Sequence, residues 1–147
     1  MSVPGTTDVL LLVIRLTLGW YLMLAGWEKV SDELAGGLGT FFASDSYQRR
    51  NPSWLPASLS TGYGYALPWM ELGFGALVMA GLLGRIAAAG AAVVFTSIGI
   101  ALFGAGDLLP RHHIMVFLPV ALLLLTHGPG RWSVDALLGG RRRLRGR

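Results

Sequence analysis

Six ionisable residues, Lys29, Glu71, Asp107, Arg111, His112 and His113, stand at corresponding ends of long apolar runs, with Trp27 and Trp69 beside them. A histidine near a helix N-terminus is biased toward its neutral form. It could hydrogen-bond a quinone oxygen while a carboxylate such as Glu71 accepts or delivers the proton. On this reading Trp69, Glu71 and His113, with Lys29 and Arg111 at hand, form a pocket for a quinone headgroup or a comparable small ligand. The plainer reading is architectural: charges in an apolar setting pair with one another, and the pairs fix how the helices meet. Two pairs are expected, Lys29 with Glu71 at one end and Arg15 with Asp135 at the other. No residue is singled out as catalytic. Asp107, His112 and His113 lack the spacing of a zinc site. His112 and His127, 15 residues apart on one helix or about 22 Å, cannot clamp one haem iron.

These residues need elements to hold them, and four apolar runs supply those elements. Of the 147 residues, 53% are hydrophobic and only 14% charged, outside the range of ordinary soluble domains. A membrane span uses about 20 apolar residues, so four spans nearly exhaust the chain. The expected spans are about 9–29, 65–84, 86–104 and 110–127, followed by a basic tail, 131–147. Thr7 and Asp8 suit the start of the first helix. Residues 31–64 read as a long outer loop with a short surface helix around Leu38 to Phe42. Gly84 and Arg85 mark a tight turn. The purely apolar core of the fourth run, Ile114 to Leu125, has 12 residues and spans only about 18 Å, which draws Arg111, His112 and His113 toward membrane depth. Trp132 to Leu138 reads as a short Ser-capped interfacial helix. The fold class is therefore all-α: an integral membrane four-helix transmembrane bundle, one domain over residues 1–147, with one long outer loop between its first two helices.

Spacing assigns the inward faces. Arg15, Gly19, Leu22, Gly26 and Lys29 recur every three or four residues, as do Glu71, Gly75, Val78, Leu82 and Arg85. Each set shares one side of a helix. Small residues let membrane helices approach closely, so both faces should meet inside the bundle.

An even number of spans puts both termini on one side. With those termini cytoplasmic, the inner segments carry seven cations, Arg85, Arg131 and the five tail arginines Arg141, Arg142, Arg143, Arg145 and Arg147. The outer segments carry four, Lys29, Arg49, Arg50 and Arg111. That bias favours cytoplasmic N and C termini. The tail suits anionic lipid headgroups rather than nucleic acid. With 0 cysteines the chain has no thiol chemistry and no disulfide. Residues 1–14 lack the basic start of a secretory signal, so the first run is expected to stay.

Arg15, Leu16, Gly19, Gly26 and Lys29 in the first run, Pro68 and Glu71 in the second, and Gly128, Gly130, Ser133, Asp135, Leu137 and Leu138 after the fourth resemble the DoxX family of small bacterial membrane proteins. The resemblance implies four helices in the bacterial cytoplasmic (inner) membrane and, for some members, association with redox assemblies; related DoxD-type proteins are subunits of thiosulfate:quinone oxidoreductase. It carries over no catalytic residue. Three classes of function are open: a non-catalytic subunit or anchor of a membrane redox assembly, a quinone-linked oxidoreductase subunit binding quinone at the outer side, and a small-solute transporter or channel. The first is favoured, because the chain supplies no redox centre of its own and only Thr96 and Ser97 offer polar groups near the midplane. No cofactor is fixed by the residues, with a quinone the one they would suit; membrane or peripheral redox proteins, the lipid bilayer and a second copy of the chain are the partners considered.

Overall fold

A computed structural model of the chain describes the backbone of residues 5–105 and 108–145 and the side chains of residues 5–103 and 114–139. Its described elements are helices: α1 (Thr6–Gly36), α2 (Thr40–Ala43), α3 (Asp45–Arg50), α4 (Ala57–Ala80), α5 (Gly84–Ala105), α6 (Leu108–His127) and α7 (Val134–Arg145). Two of them, α1 and the Gly84–Phe103 stretch of α5, are long and apolar enough to cross a membrane. Within α6 the described apolar segment is Ile114–His127, which contains the Ile114 to Leu125 core read from the sequence.

Backbone contact between α1 and α4 organises the molecule. A Cβ on Gly19 would lie 2.6 Å from the Met79 nitrogen and 2.8 Å from the Gly75 oxygen, and one on Gly26 would run into Leu72 and Glu71. Residues that rise along α1 meet residues that fall along α4, so the two helices are antiparallel. Most of each expected inward face turns inward: Arg15, Leu22, Glu71 and Val78 are 4%, 1%, 2% and 3% exposed, whereas Lys29 and Leu82 are half-buried and Arg85 is exposed. Helix α4 lies also along α5, α5 along α6, and α6 returns to α1. The core between them is aliphatic and small, built on Leu18, Leu22, Leu67, Ala87, Ala88, Ala91, Val94 and Phe95.

Several boundaries shift for local reasons. Gly5 rather than Thr7 precedes α1, and the Asp8 carboxylate accepts the Gly5 N–H at 3.2 Å. Helix α4 begins at Ala57, eight residues ahead of the expected Tyr65, because Pro56 opens it and the Thr61 hydroxyl bonds back to the Ala57 carbonyl. Pro68 consequently sits inside the helix rather than in its first turn. At the other end α4 stops at Gly81, whose φ of 67° is left-handed, so the tight turn occupies residues 81–83 and Arg85 falls on the exposed side of α5. Residues 37–56 are not an open loop. Gly39, at φ 94°, starts α2; the buried Glu33 carboxylate accepts the N–H groups of Gly39 (2.7 Å) and Phe41 (3.2 Å). Helix α3 follows, capped by Ser44, and its Tyr47 donates to the Ser60 carbonyl at 2.6 Å. Gly64 of α4 leaves the space that Phe42 and Tyr47 fill.

Candidate functional site: a cavity floored by an ion pair

Three helical stripes border a cavity of about 560 Å³. Tyr21, Ala25 and Lys29 recur every four residues on α1; Leu59, Tyr63, Leu67 and Glu71 do the same on α4; Phe95, Ile98 and Leu102 come from α5. Such steps place each set on one side of its helix. Across the end nearest α3 lie Tyr47 and Arg50 of that helix, with Asn51, Pro52, Trp54 and Leu55. Trp54 (69% exposed), Leu59 (61%) and Ile100 (50%) belong both to the lining and to the molecular surface; the cavity opens there.

The expected pairing of Lys29 with Glu71 is present. Lys29 Nζ donates to Glu71 Oε2 at 2.5 Å. It also donates to the Ala25 carbonyl at 3.3 Å and stands 5.4 Å from the Phe41 ring centre. Glu71 side-chain exposure is 2% against 25% for Lys29: the acid is enclosed and the base lies toward the surface. Glu71 sits near the middle of α4, level with Gly26, deeper than the end-of-helix position the sequence suggested. About two turns earlier on α4, Tyr63 Oη and Ser97 Oγ are 2.5 Å apart. Ser97 spends its single hydroxyl hydrogen on the Val94 carbonyl at 2.7 Å, so Tyr63 is the donor of that pair. Tyr21 stacks on Phe117 with ring centres 4.2 Å apart and lies 6.4 Å from Phe95, an aromatic wall that reaches the surface at Tyr21, 36% exposed.

The second expected pair does not form as drawn. Arg15 donates through Nη1 to the Pro129 carbonyl (2.8 Å) and through Nη2 to the Trp132 carbonyl (2.6 Å). Asp135 accepts the N–H groups of Leu83 (2.9 Å) and Gly84 (2.7 Å) at the start of α5. The physical reason is that helix ends and turns leave backbone groups without partners, and here each charge meets such a group before it meets the other charge. Together with Ser133, which donates to the Gly130 carbonyl and accepts from Ala136 N–H, the two residues tie the turn at 128–133 and the start of α7 to the N-terminal parts of α1 and α5. Ser133 thus caps the helix expected after the fourth run. Asp8 adds an ion pair to Arg131 at 3.9 Å.

Of the five residues expected around a ligand, Lys29 and Glu71 line the cavity. Trp69 is 44% exposed and outside the lining, because it falls two residues before Glu71 and so on another side of α4. The side chains of Arg111 and His113, like those of Asp107 and His112, lie outside the described residues. Sequence reasoning missed Tyr21, Tyr63 and Ser97. A signal existed: Tyr63 and Glu71, like Tyr21 and Lys29, are two four-residue steps apart.

A sequence model of the DoxX family matches residues 10–105. The match spans more than half of the chain, and the protein belongs to the DoxX family. It is a DoxX-like membrane protein, rich in apolar helix. No curated protein and no solved structure shows significant similarity to it. The matched region contains Arg15, Lys29 and Glu71 and ends before the turn and helix that Arg15 and Asp135 hold in place.

Proposed function

We propose that the chain is a four-span protein of the bacterial cytoplasmic membrane, both termini inside, that serves as a membrane subunit of a redox assembly and receives a lipid-soluble quinone in its outer cavity. The redox centre belongs to a partner, since the residues lining the cavity supply none. One observation carries the reading. A cavity of about 560 Å³, walled by aliphatic and aromatic side chains, holds an ion pair whose acid is enclosed, together with a tyrosine hydroxyl. Ligand sites have this character, an apolar enclosure with a few fixed polar groups that orient one end of the occupant. A purely structural pair would need no such space beside it. The four-span reading is supported by the antiparallel α1 and α4, by α5 and α6, and by the bias of seven inner to four outer cations. Anionic lipid at the basic tail and a single domain over the whole length complete the proposal.

Gentle detergent extraction of the full chain, followed by mass spectrometry of the proteins and lipids that accompany it, tests the reading. A prenylated quinone in near-stoichiometric amount, together with a redox partner, is the expected result. Recovery of the chain with phospholipid alone would overturn it.

A further inference from the structure

The hydrogen-bonding capacity left open at the deep end of the cavity is mostly that of acceptors. Tyr63 gives its hydroxyl hydrogen to Ser97, and Ser97 gives its own to Val94; Tyr63 Oη keeps lone pairs only. Glu71 Oε2 is taken by Lys29, whereas Oε1 has no hydrogen bond among the described residues. Toward the mouth the groups are mixed: Tyr47 spends its hydrogen on the Ser60 carbonyl and Asn51 Oδ1 is buried without a partner, while Arg50 and the Asn51 amide bring N–H groups to the lining. Against these acceptors, Lys29 has used one ammonium hydrogen on Glu71 and one on Ala25, which leaves it a single N–H. Tyr21, on the same wall, has a hydroxyl that can turn either way.

The geometry points to a site that selects hydroxyl donors: the cavity binds the hydroquinone form of a lipid-soluble quinone in preference to the quinone itself. This deepens the reading given above and rests on it. A hydroquinone hydroxyl can donate to Glu71 Oε1 while its oxygen accepts the remaining Lys29 N–H. A quinone carbonyl can take only the Lys29 bond. It brings a lone pair against Glu71 Oε1 and leaves that oxygen enclosed without a donor, the costlier half of the hydrogen-bond balance. Sites built to hydrogen-bond a substrate hydroxyl reject analogues that lack it far more strongly than apolar pockets reject a change of size. The Lys29–Glu71 pair is neutral as a whole, which favours a neutral hydroxyl head over a cationic amine. Binding the reduced form more tightly raises the midpoint potential of the bound couple.

Calorimetric titration of the full chain in detergent, under anaerobic conditions, tests this with three probes that share one decyl tail: a benzoquinone, its hydroquinone, and the hydroquinone dimethyl ether, which keeps the shape and lacks the hydrogens. The hydroquinone should bind at least about tenfold more tightly than either of the others, equivalent to about 30 mV for a two-electron couple. Glu71→Gln supplies an amide N–H in place of an acceptor; in that variant, once its fold is verified by thermal melting, the preference should shrink toward unity. Equal or tighter binding of the quinone, or a dimethyl ether as tight as the hydroquinone, would overturn the selectivity and leave the quinone reading standing. No binding of any probe would overturn both. The comparison of the three probes on the unaltered chain decides the matter even where the variant does not fold.

Discussion

Removing either member of the Lys29–Glu71 pair should destabilise the protein unequally, and the geometry says which removal is worse. Lys29→Met leaves the Glu71 carboxylate 2% exposed with its ammonium partner gone. An enclosed charge stripped of its partner costs about 3–5 kcal/mol. Glu71→Gln instead leaves an ammonium that is 25% exposed and still bonded to the Ala25 carbonyl, with Phe41 beneath it. Solvent and these contacts hold that cost to about 1–2 kcal/mol. The double replacement removes both charges and should fall within about 1 kcal/mol of the parent, so the two losses will be strongly non-additive. Equilibrium unfolding in mixed micelles of detergent and sodium dodecyl sulfate gives all three values. Equal losses in the two single variants, or a double variant equal to their sum, would refute the claim that the pair is one enclosed unit.

Arg15→Lys should lower stability by about 1.5–3 kcal/mol, since one compact ammonium replaces the fork that bridges the Pro129 and Trp132 carbonyls; proteolysis near residue 130 should accelerate, and an unchanged digestion pattern would contradict the tie. Gly26→Ala forces a methyl group into the Leu72 backbone and should cost about 1–3 kcal/mol by overpacking, read in the same unfolding assay, where a neutral result would refute the close approach of α1 and α4. Asp135→Ala should cost about 0.5–2 kcal/mol because two N–H groups at the start of α5 lose their acceptor, and amide exchange at Gly84 should quicken. Single cysteines at Asp45 and Gly139, both exposed, should react with an impermeant reagent from opposite faces of the membrane; labelling of both from outside intact cells would refute the four-span topology.

Periodicity made the inward faces of α1 and α4 legible, because a helix that must bring backbone against backbone has to align its small residues, and Gly19, Gly26 and Gly75 do so. The charges at those steps, Arg15, Lys29 and Glu71, were carried inward with them. What periodicity does not reveal is the partner. Arg15 and Asp135 sit close in the fold, yet each satisfies backbone groups of a turn or helix start, and such groups are invisible in a sequence pattern. The cavity was half legible. Lys29 and Glu71 named it, but its walls include Tyr21, Tyr63 and Ser97: Tyr21 draws no notice in an apolar run, Tyr63 falls in the expected loop, and Ser97 reads only as a polar group near the midplane. Trp69 was misplaced because an aromatic next to an acid in the chain points elsewhere on a helix. The cover formed by α2 and α3 was hidden for another reason: a buried Glu33 that binds two N–H groups looks, in the sequence, like one more surface acid.

The occupancy of the cavity is the central claim, and photolabelling tests it most directly. A short-chain quinone bearing a photoreactive group, illuminated with the protein in native membranes and followed by peptide mapping, should mark segments containing Tyr21, Leu67 and Ile98, which face one another across the cavity. Excess unlabelled quinone should suppress that labelling. Marks spread instead along the exposed stripe Val9, Val13, Leu16 and Trp20 of α1, undiminished by competitor, would contradict it.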